Sequence, residues 1–212
     1  MNPELLTCQR LTSVLLYSPT VMQPVDLTQL YAEVTQRYPY QTYQQLPDGA
    51  RMSNADNDIF VQSSRTQVTE NIQYFNASKV KCLDVFDMVR MRFNISQFLT
   101  LGVKLLALLP MDKATGSVEF IEQNMLRNTQ EKLDILGEGR QGTGLRIRFQ
   151  QDEATHDLRI DPFFSNLSQI YVELDTQYTL PFTDLTSVEM RIDSAYGYLF
   201  KEVKNFLASF ND

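Results

Sequence analysis

Leu145-Arg146-Ile147-Arg148-Phe149 alternates apolar and charged side chains without a break. The same alternation returns in His156-Asp157-Leu158-Arg159-Ile160-Asp161 and in Ile170-Tyr171-Val172-Glu173-Leu174-Asp175. Successive side chains of a strand point to opposite faces. Strict alternation therefore means one buried face and one wetted face, the mark of an antiparallel sheet covered on a single side. The polar stretch Gln150 to Thr155 separates the first two runs as a turn. The region predicts a three-strand meander.

Upstream, Gln97 to Leu109 is an apolar run closed by Pro110 and predicts a strand. Thr115-Gly116-Ser117 starts a helix through about Arg127. Asn128 to Leu136 extends it or forms a second one, with Asn128 and Glu131 as a cap, and Gly137 and Gly139 stop it. Downstream, Val188, Ile192, Ala195, Leu199, Val203, Phe206 and Phe210 advance by three or four, which predicts a helix over Asp184–Ser209. At 1.5 Å per residue that helix is about 39 Å long, enough to cross a sheet.

The N-terminal half follows a similar order. Leu11 to Tyr17 predicts a strand. Asp26 with Gln29 forms a capping-box pattern, and Leu27, Leu30, Tyr31, Val34 and Tyr38 give one helical stripe ended by Pro39. Strands follow at Tyr40–Leu46, Asp58–Ser63 and Thr66–Ile72, with a turn at Pro47-Asp48-Gly49. A second helix spans about Ser78 to Phe93, its stripe running through Cys82, Val85, Phe86, Val89 and Phe93.

Both halves thus read β-α-β-β-β-α, the first over residues 1–95 and the second over 96–212, merged into one body. The expected fold class is α+β: two similar units with antiparallel sheets covered by helices. The element order resembles the half-unit of the TATA-binding-protein-like and helix-grip architectures, in which a curved antiparallel sheet wraps a long helix. A shared architecture does not carry a function.

The chain has 212 residues, a mass of 24.5 kDa, 43% hydrophobic and 21% charged residues. About 70% of the surface of a chain this size is buried on folding, so it forms a core without staples. The profile excludes collagen, a coiled-coil rod, a disordered tail and a disulfide scaffold. Net charge is -7, with nine basic and nine acidic residues in 1–106 against ten and seventeen in 107–212. Nucleic-acid affinity comes from clustered Lys and Arg. The densest group, Lys79, Lys81, Arg90 and Arg92, is interrupted by Asp84 and Asp87. The expectation is no nucleic-acid and no membrane partner. Cys8 and Cys82 form no CxxC pair and are read as buried free thiols. No basic N-terminal leader with a long apolar stretch is present, and Leu99–Leu109 is too short to span a bilayer, so the expected location is the cytoplasm.

Motifs for chemistry are few. Gly137-Glu138-Gly139-Arg140-Gln141-Gly142 spells GxGxxG, but a helix precedes it and a strand follows, the reverse of a dinucleotide site. Gly142-Thr143-Gly144 leaves room for close backbone approach to a ligand. His156 is the only histidine and is read as a turn or surface residue. Asn54, Asp56, Asn57 and Asp58 faintly resemble a calcium loop, without its glycine and closing glutamate. No catalytic, cofactor or metal residue is assigned, and no cofactor is expected.

The candidate site is the polar face of the meander: Arg146 and Arg148 on one strand, Asp157, Arg159 and Asp161 on the next, Glu173 and Asp175 on the third. With adjacent strands, opposite charges face each other and form either a solvated ladder or a polar groove for a ligand or partner. In the groove reading Arg159 holds the carboxylates ionised. The tyrosine groups Tyr38, Tyr40, Tyr43 and Tyr196, Tyr198 suit an interface or a core.

Across Leu158-Arg159-Ile160-Asp161-Pro162, Ile170 to Asp175 and the Asp184–Phe206 helix, the chain resembles a sporadically distributed, uncharacterised prokaryotic family with a tandem β/α layout. That resemblance implies the layout and no activity. The leading expectation is a non-catalytic ligand-binding or protein-interaction protein, with a protein partner or a second copy of itself (a homodimer), or a small-molecule ligand. The alternative is an enzyme or small-molecule carrier with a pocket between the sheet and the C-terminal helix, lined by Tyr196, Leu199 and a strand carboxylate.

Overall fold

The computed structural model describes residues 1–114, 116–126, 132, 135, 141–179 and 181–210. Nine strands form one antiparallel sheet: β1 (Thr7–Tyr17), β2 (Thr42–Leu46), β3 (Gly49–Ser53), β4 (Asp58–Gln62), β5 (Arg65–Asn71), β6 (Phe98–Pro110), β7 (Leu145–Gln151), β8 (Ala154–Pro162) and β9 (Gln169–Tyr178). Their order is β2-β3-β4-β5-β1-β6-β9-β8-β7. The helices are α1 (Pro24–Arg37), α2 (Phe75–Arg92), α3 (Gly116–Phe120, followed by a π turn at Ile121–Met125) and α4 (Leu185–Tyr198). A π turn at Leu199–Val203 joins α4 to α5 (Lys204–Ala208). The fold is α+β.

The long strands β1 and β6 meet at the centre, paired antiparallel from Thr7↔Leu108 to Tyr17↔Phe98. Moving outward from β1 the sheet reads β5, β4, β3, β2, and outward from β6 it reads β9, β8, β7. In each direction the last strand in sequence lies next to the central strand. The first side has a strand that its sequence hides. Gly49-Ala50-Arg51-Met52-Ser53 holds no β-branched residue and follows a tight turn, yet β3 pairs with both β2 and β4.

Registers link the buried positions onto one face: Leu11 and Leu15 of β1, Val68 of β5, Val103 and Leu105 of β6, Val172 and Leu174 of β9, Leu158 and Ile160 of β8. Helices α1, α2, α3 and α4 all contact strands and share this face. Each fully buried Leu, Ile or Val contributes about 1.5–3 kcal/mol relative to exposure. The helix layer is also tied by charge. Lys79 of α2 lies 2.8 Å from Asp193 and 3.2 Å from Glu189 of α4, and Arg92 lies 3.1 Å from Glu33 of α1. Among the described residues no helix is long and apolar enough to cross a membrane.

Two helix details depart from the sequence reading. α1 begins at Pro24, not at Asp26, because the fixed φ of proline suits the first helical turn; Asp26 sits inside that turn, and no side chain caps the helix. At the C-terminus Asp184 does cap, accepting from Ser187 N at 2.7 Å. Beyond it Leu207 is fully buried, whereas Phe206 is only partly so. The π turn inserts one residue into the helical phase, so the buried series continues 199, 203, 207. The readings over 127–140, apart from Lys132 and Ile135, lie outside the described residues, including Asn128, Glu131 and the glycines 137 and 139.

Candidate functional site

Among the described residues no helix covers the second face of the sheet, and its strand registers fix which side chains share it. The central row runs Gln44, Arg51, Phe60, Gln67, Val14, Gly102, Gln177, Thr155, Gln150. The next row runs Thr42, Ser53, Asp58, Thr69, Thr12, Lys104, Asp175, Asp157, Arg148. Arg10, Leu106, Glu173, Arg159 and Arg146 make a third row, and Leu108, Tyr171 and Asp161 follow. The seven residues picked from the sequence, Arg146, Arg148, Asp157, Arg159, Asp161, Glu173 and Asp175, therefore lie on three adjacent strands and one face.

Their pairing is more diagonal than simple alternation suggests. Arg148 stands directly opposite Asp157 and Arg159 opposite Glu173, as alternation predicts, but Arg146 also stands opposite Arg159 and Asp157 opposite Asp175, so like charges meet in register too. Arg146 instead reaches diagonally to Asp157, with Nε and Nη2 donating to the two carboxylate oxygens at 2.8 and 2.6 Å. That fork and the charge of Arg146 hold the Asp157 carboxyl below its usual range. Arg159 pairs with Asp161 of its own strand, while Arg146 is the main cation on Asp157, with Arg148 and Lys104 adding to its field. Lys104, which the sequence did not mark, sits 3.5 Å from Glu173 and 3.4 Å from Asp175 and joins the ladder to the central seam. Tyr171 donates to Glu173 at 2.5 Å. Across the seam Arg51 pairs with Asp58, Nε donating at 2.7 Å, and Arg10 donates to Asn71 at 2.9 Å.

At the seam itself the face sinks. Binding pockets commonly measure about 300–1,000 Å³, and this hollow measures about 490 Å³. Val14, Leu16 and Gly102 line it with Thr12, Thr100, Gln67, Gln177, Lys104 and Asp175. Gly102 matters because its missing side chain leaves the floor open. A Cβ there would touch only Val14, at an ordinary 3.8 Å. Leu106 and Leu108 extend the apolar centre along β6.

A second concavity lies on the other side, between the β7–β8 turn and α4. Its volume is about 430 Å³. His156, Tyr178, Arg191, Ser194 and Tyr198 line it, with Asp152 and Glu153 at the turn. The sequence reading placed a pocket against the C-terminal helix lined by Tyr196, Leu199 and a strand carboxylate; this cleft is lined by Tyr198, and Tyr196 and Leu199 are not part of it. His156 is not a turn or surface residue. It is 3% exposed, its Nδ1 lies 3.0 Å from Thr176 Oγ1, and its ring stacks on Tyr198 at 4.4 Å and on Phe149 at 5.1 Å. The strand extends back to Ala154, so position 156 lies within it and shares the inward parity of Leu158 and Ile160. Burial lowers the His156 pKa below its ordinary value of 6.5 and keeps the ring neutral.

A buried charged group was also invisible in the sequence. Lys81 Nζ lies 2.8 Å from Glu70 Oε2, and Tyr40 donates to Glu70 Oε1 at 2.6 Å. The ammonium sits 4.5 Å from the Tyr40 ring centre and 5.2 Å from that of Tyr38. Lys79 and Lys81, two members of the densest basic grouping in the sequence, are thus internal ties of α2. Both cysteines are free. Cys82 is buried as expected, while Cys8 is half-buried, and burial pushes its thiol up to about 12.

The remaining motifs have structural uses. Gly144 lies tight against Asp161 and the Ile160 carbonyl, so the close approach it permits is to β8 and not to a ligand. Asn54 Oδ1 accepts from the backbone of Asp56 and Asn57, and Asn57 Oδ1 accepts from Asn71 N. These loop groups shape a turn. Among the described residues no cluster of His, Cys, Asp or Glu has the arrangement of a metal site. No protein-family model matches the chain, and no curated protein matches it.

Proposed function

We propose that the protein is a non-catalytic interaction module that engages a protein partner through the uncovered face of its sheet. The observation that carries this reading is the uncovered nine-stranded face with an apolar hollow at its centre and paired charges around it. Strands spaced about 4.8 Å apart and rising about 3.3 Å per residue give such a face on the order of 1,100 Å². That is room enough for the roughly 800 Å² that one partner contributes to a standard protein–protein interface.

The distribution of chemistry supports the same reading. Interfaces have an apolar centre and a polar rim. Here Val14, Leu16, Leu106 and Leu108 occupy the centre, and Arg146, Asp157, Arg51 and Asp58 stand further out. Seven cations and five carboxylates fall on the strand positions of this face, while the whole chain carries -7. Most of those cations are already paired, which suits a partner with both signs of charge and not a polyanion. A partner side chain of leucine or phenylalanine size fits the Gly102 hollow. The like arrangement of strands on the two sides of the seam supports reading residues 1–95 and 96–212 as related units. A cytoplasmic location fits the two free thiols.

The test is methyl NMR. A protein retained by the wild-type chain from extracts of its own cells is purified and added to chain labelled at Leu, Ile and Val. The reading expects shifts concentrated at Val14, Leu16, Leu106 and Leu108. A footprint on α1, α2 or α4 refutes it, and so does a footprint produced by a second copy of the chain or by duplex DNA.

A further inference from the structure

The cleft between the β7–β8 turn and α4 is separate from the uncovered face and is built around one unusual group. His156 is among the most buried polar residues of the chain, yet it lines this cleft. Its Nδ1 is engaged by Thr176, while Nε2 has no hydrogen-bond partner among the described residues. His156 is 3% exposed, and the small surface it keeps belongs to a residue that lines the cleft. A buried polar atom is ordinarily satisfied.

The charges at the mouth select what enters. Arg191 is committed to Glu153, with Nε 3.0 Å from Oε1 and Nη2 donating to Oε2 at 3.1 Å. Its guanidinium also lies 4.9 Å from the Phe182 ring centre. It has little left for an anion. Asp152, at the tip of the turn, has no ion pair among the described residues, and the mouth therefore carries one uncompensated negative charge. The walls are an aromatic ring, Tyr198, and the thioether of Met190, which is 60% exposed. Aromatic faces favour cations, and thioethers favour planar rings.

We propose that this cleft binds a small aromatic amine: a planar ring resting on the Met190 thioether and against the edge of Tyr198, whose face is taken by His156, a polar ring atom hydrogen-bonded to His156 Nε2, and an ammonium held by Asp152. A volume of about 430 Å³ accommodates a bicyclic ring with a short side chain. The site is independent of the protein-binding face.

The single histidine makes the test direct, because its ring NMR signal needs no assignment. Three probes share one ring and differ in charge: tryptamine, tryptophol and indole-3-propionate. The proposal expects tryptamine to shift the His156 signal saturably, tryptophol to do so about fivefold more weakly, the worth of one charge pair in water, and indole-3-propionate to leave it in place. Asp152→Asn should equalise tryptamine and tryptophol. Asp152 has φ 52°, a conformation asparagine tolerates, so the turn survives that change. Ser194→Phe, at an exposed helix position, should plug the cleft and abolish both. Gly102→Phe should change neither. A His156 signal unmoved by tryptamine overturns the proposal. So does tighter binding of indole-3-propionate, or a charge preference that persists in Asp152→Asn. Failure of these probes leaves the interaction face untouched, since its footprint is read at Val14 and Leu106.

Discussion

Replacing Lys81 by methionine removes one half of a buried ion pair. The Lys81 and Glu70 side chains are only 9% and 6% exposed, and their charged atoms are 2.8 Å apart. Lys81→Met keeps the length of the stem but strands the Glu70 carboxylate in the core with Tyr40 as its remaining donor. Removing one partner of a buried pair costs about 3–5 kcal/mol, because an uncompensated charge stays behind. In a chain of this size each kcal/mol moves Tm by about 2–4 °C, so the loss amounts to about 6–20 °C. Adding Glu70→Gln removes the stranded charge and leaves the amide oxygen to accept from Tyr40. The double variant should therefore be more stable than Lys81→Met alone, a coupling of about 1–3 kcal/mol. Urea unfolding read by tyrosine fluorescence measures both, with an unchanged m-value as the control. A single-variant loss below about 1 kcal/mol, or a double variant no better than the single, would refute the burial of this pair.

Three further outcomes follow from the geometry. His156 should titrate below 6.5 in the folded chain. Its folded pKa is depressed, so the unfolded chain binds the extra proton; its share of stability is full above pH 6.5 and is lost as pH falls toward the folded value, at no more than about 1.4 kcal/mol per pH unit. A folded-state pKa at or above 6.5 by NMR contradicts its burial. Leu207→Ala should cost about 2–5 kcal/mol and Phe206→Ala distinctly less, because the π turn points Leu207 inward; equal or reversed losses in thermal unfolding would place the helix in unbroken α phase. Gly102→Ala should be within about 0.5 kcal/mol of wild type, whereas Gly49→Ala should unfold readily, since a Cβ there would run into the Val61 carbonyl.

The sheet was legible where one face is dry and the other wet. Leu145 to Phe149, His156 to Asp161 and Ile170 to Asp175 announced three strands and their shared charged face, because period-two burial leaves a direct trace, while the registers came only with the structure. Lys104 was missed because it interrupts an apolar run, and only the β6–β9 register shows that it belongs to the ladder. β3 was missed because pairing on both sides, not propensity, makes it a strand. His156 was misplaced by the position of a turn: two more strand residues on each side of Asp152-Glu153 turn a loop histidine into a core one. Lys81 carries no local sign of burial, since its partners Glu70 and Tyr40 come from distant segments. The shift from Phe206 to Leu207 needed the π turn, which no spacing announces.

The measurement closest to the central claim is the dissociation constant of the purified partner for wild type and for Gly102→Phe. Filling the hollow puts a ring where the partner must insert, without strain in the backbone of β6. The account predicts affinity weakened at least about tenfold, about 1.4 kcal/mol, with Tm unchanged. Undiminished affinity in a folded Gly102→Phe chain would show that the uncovered face is not where the partner sits.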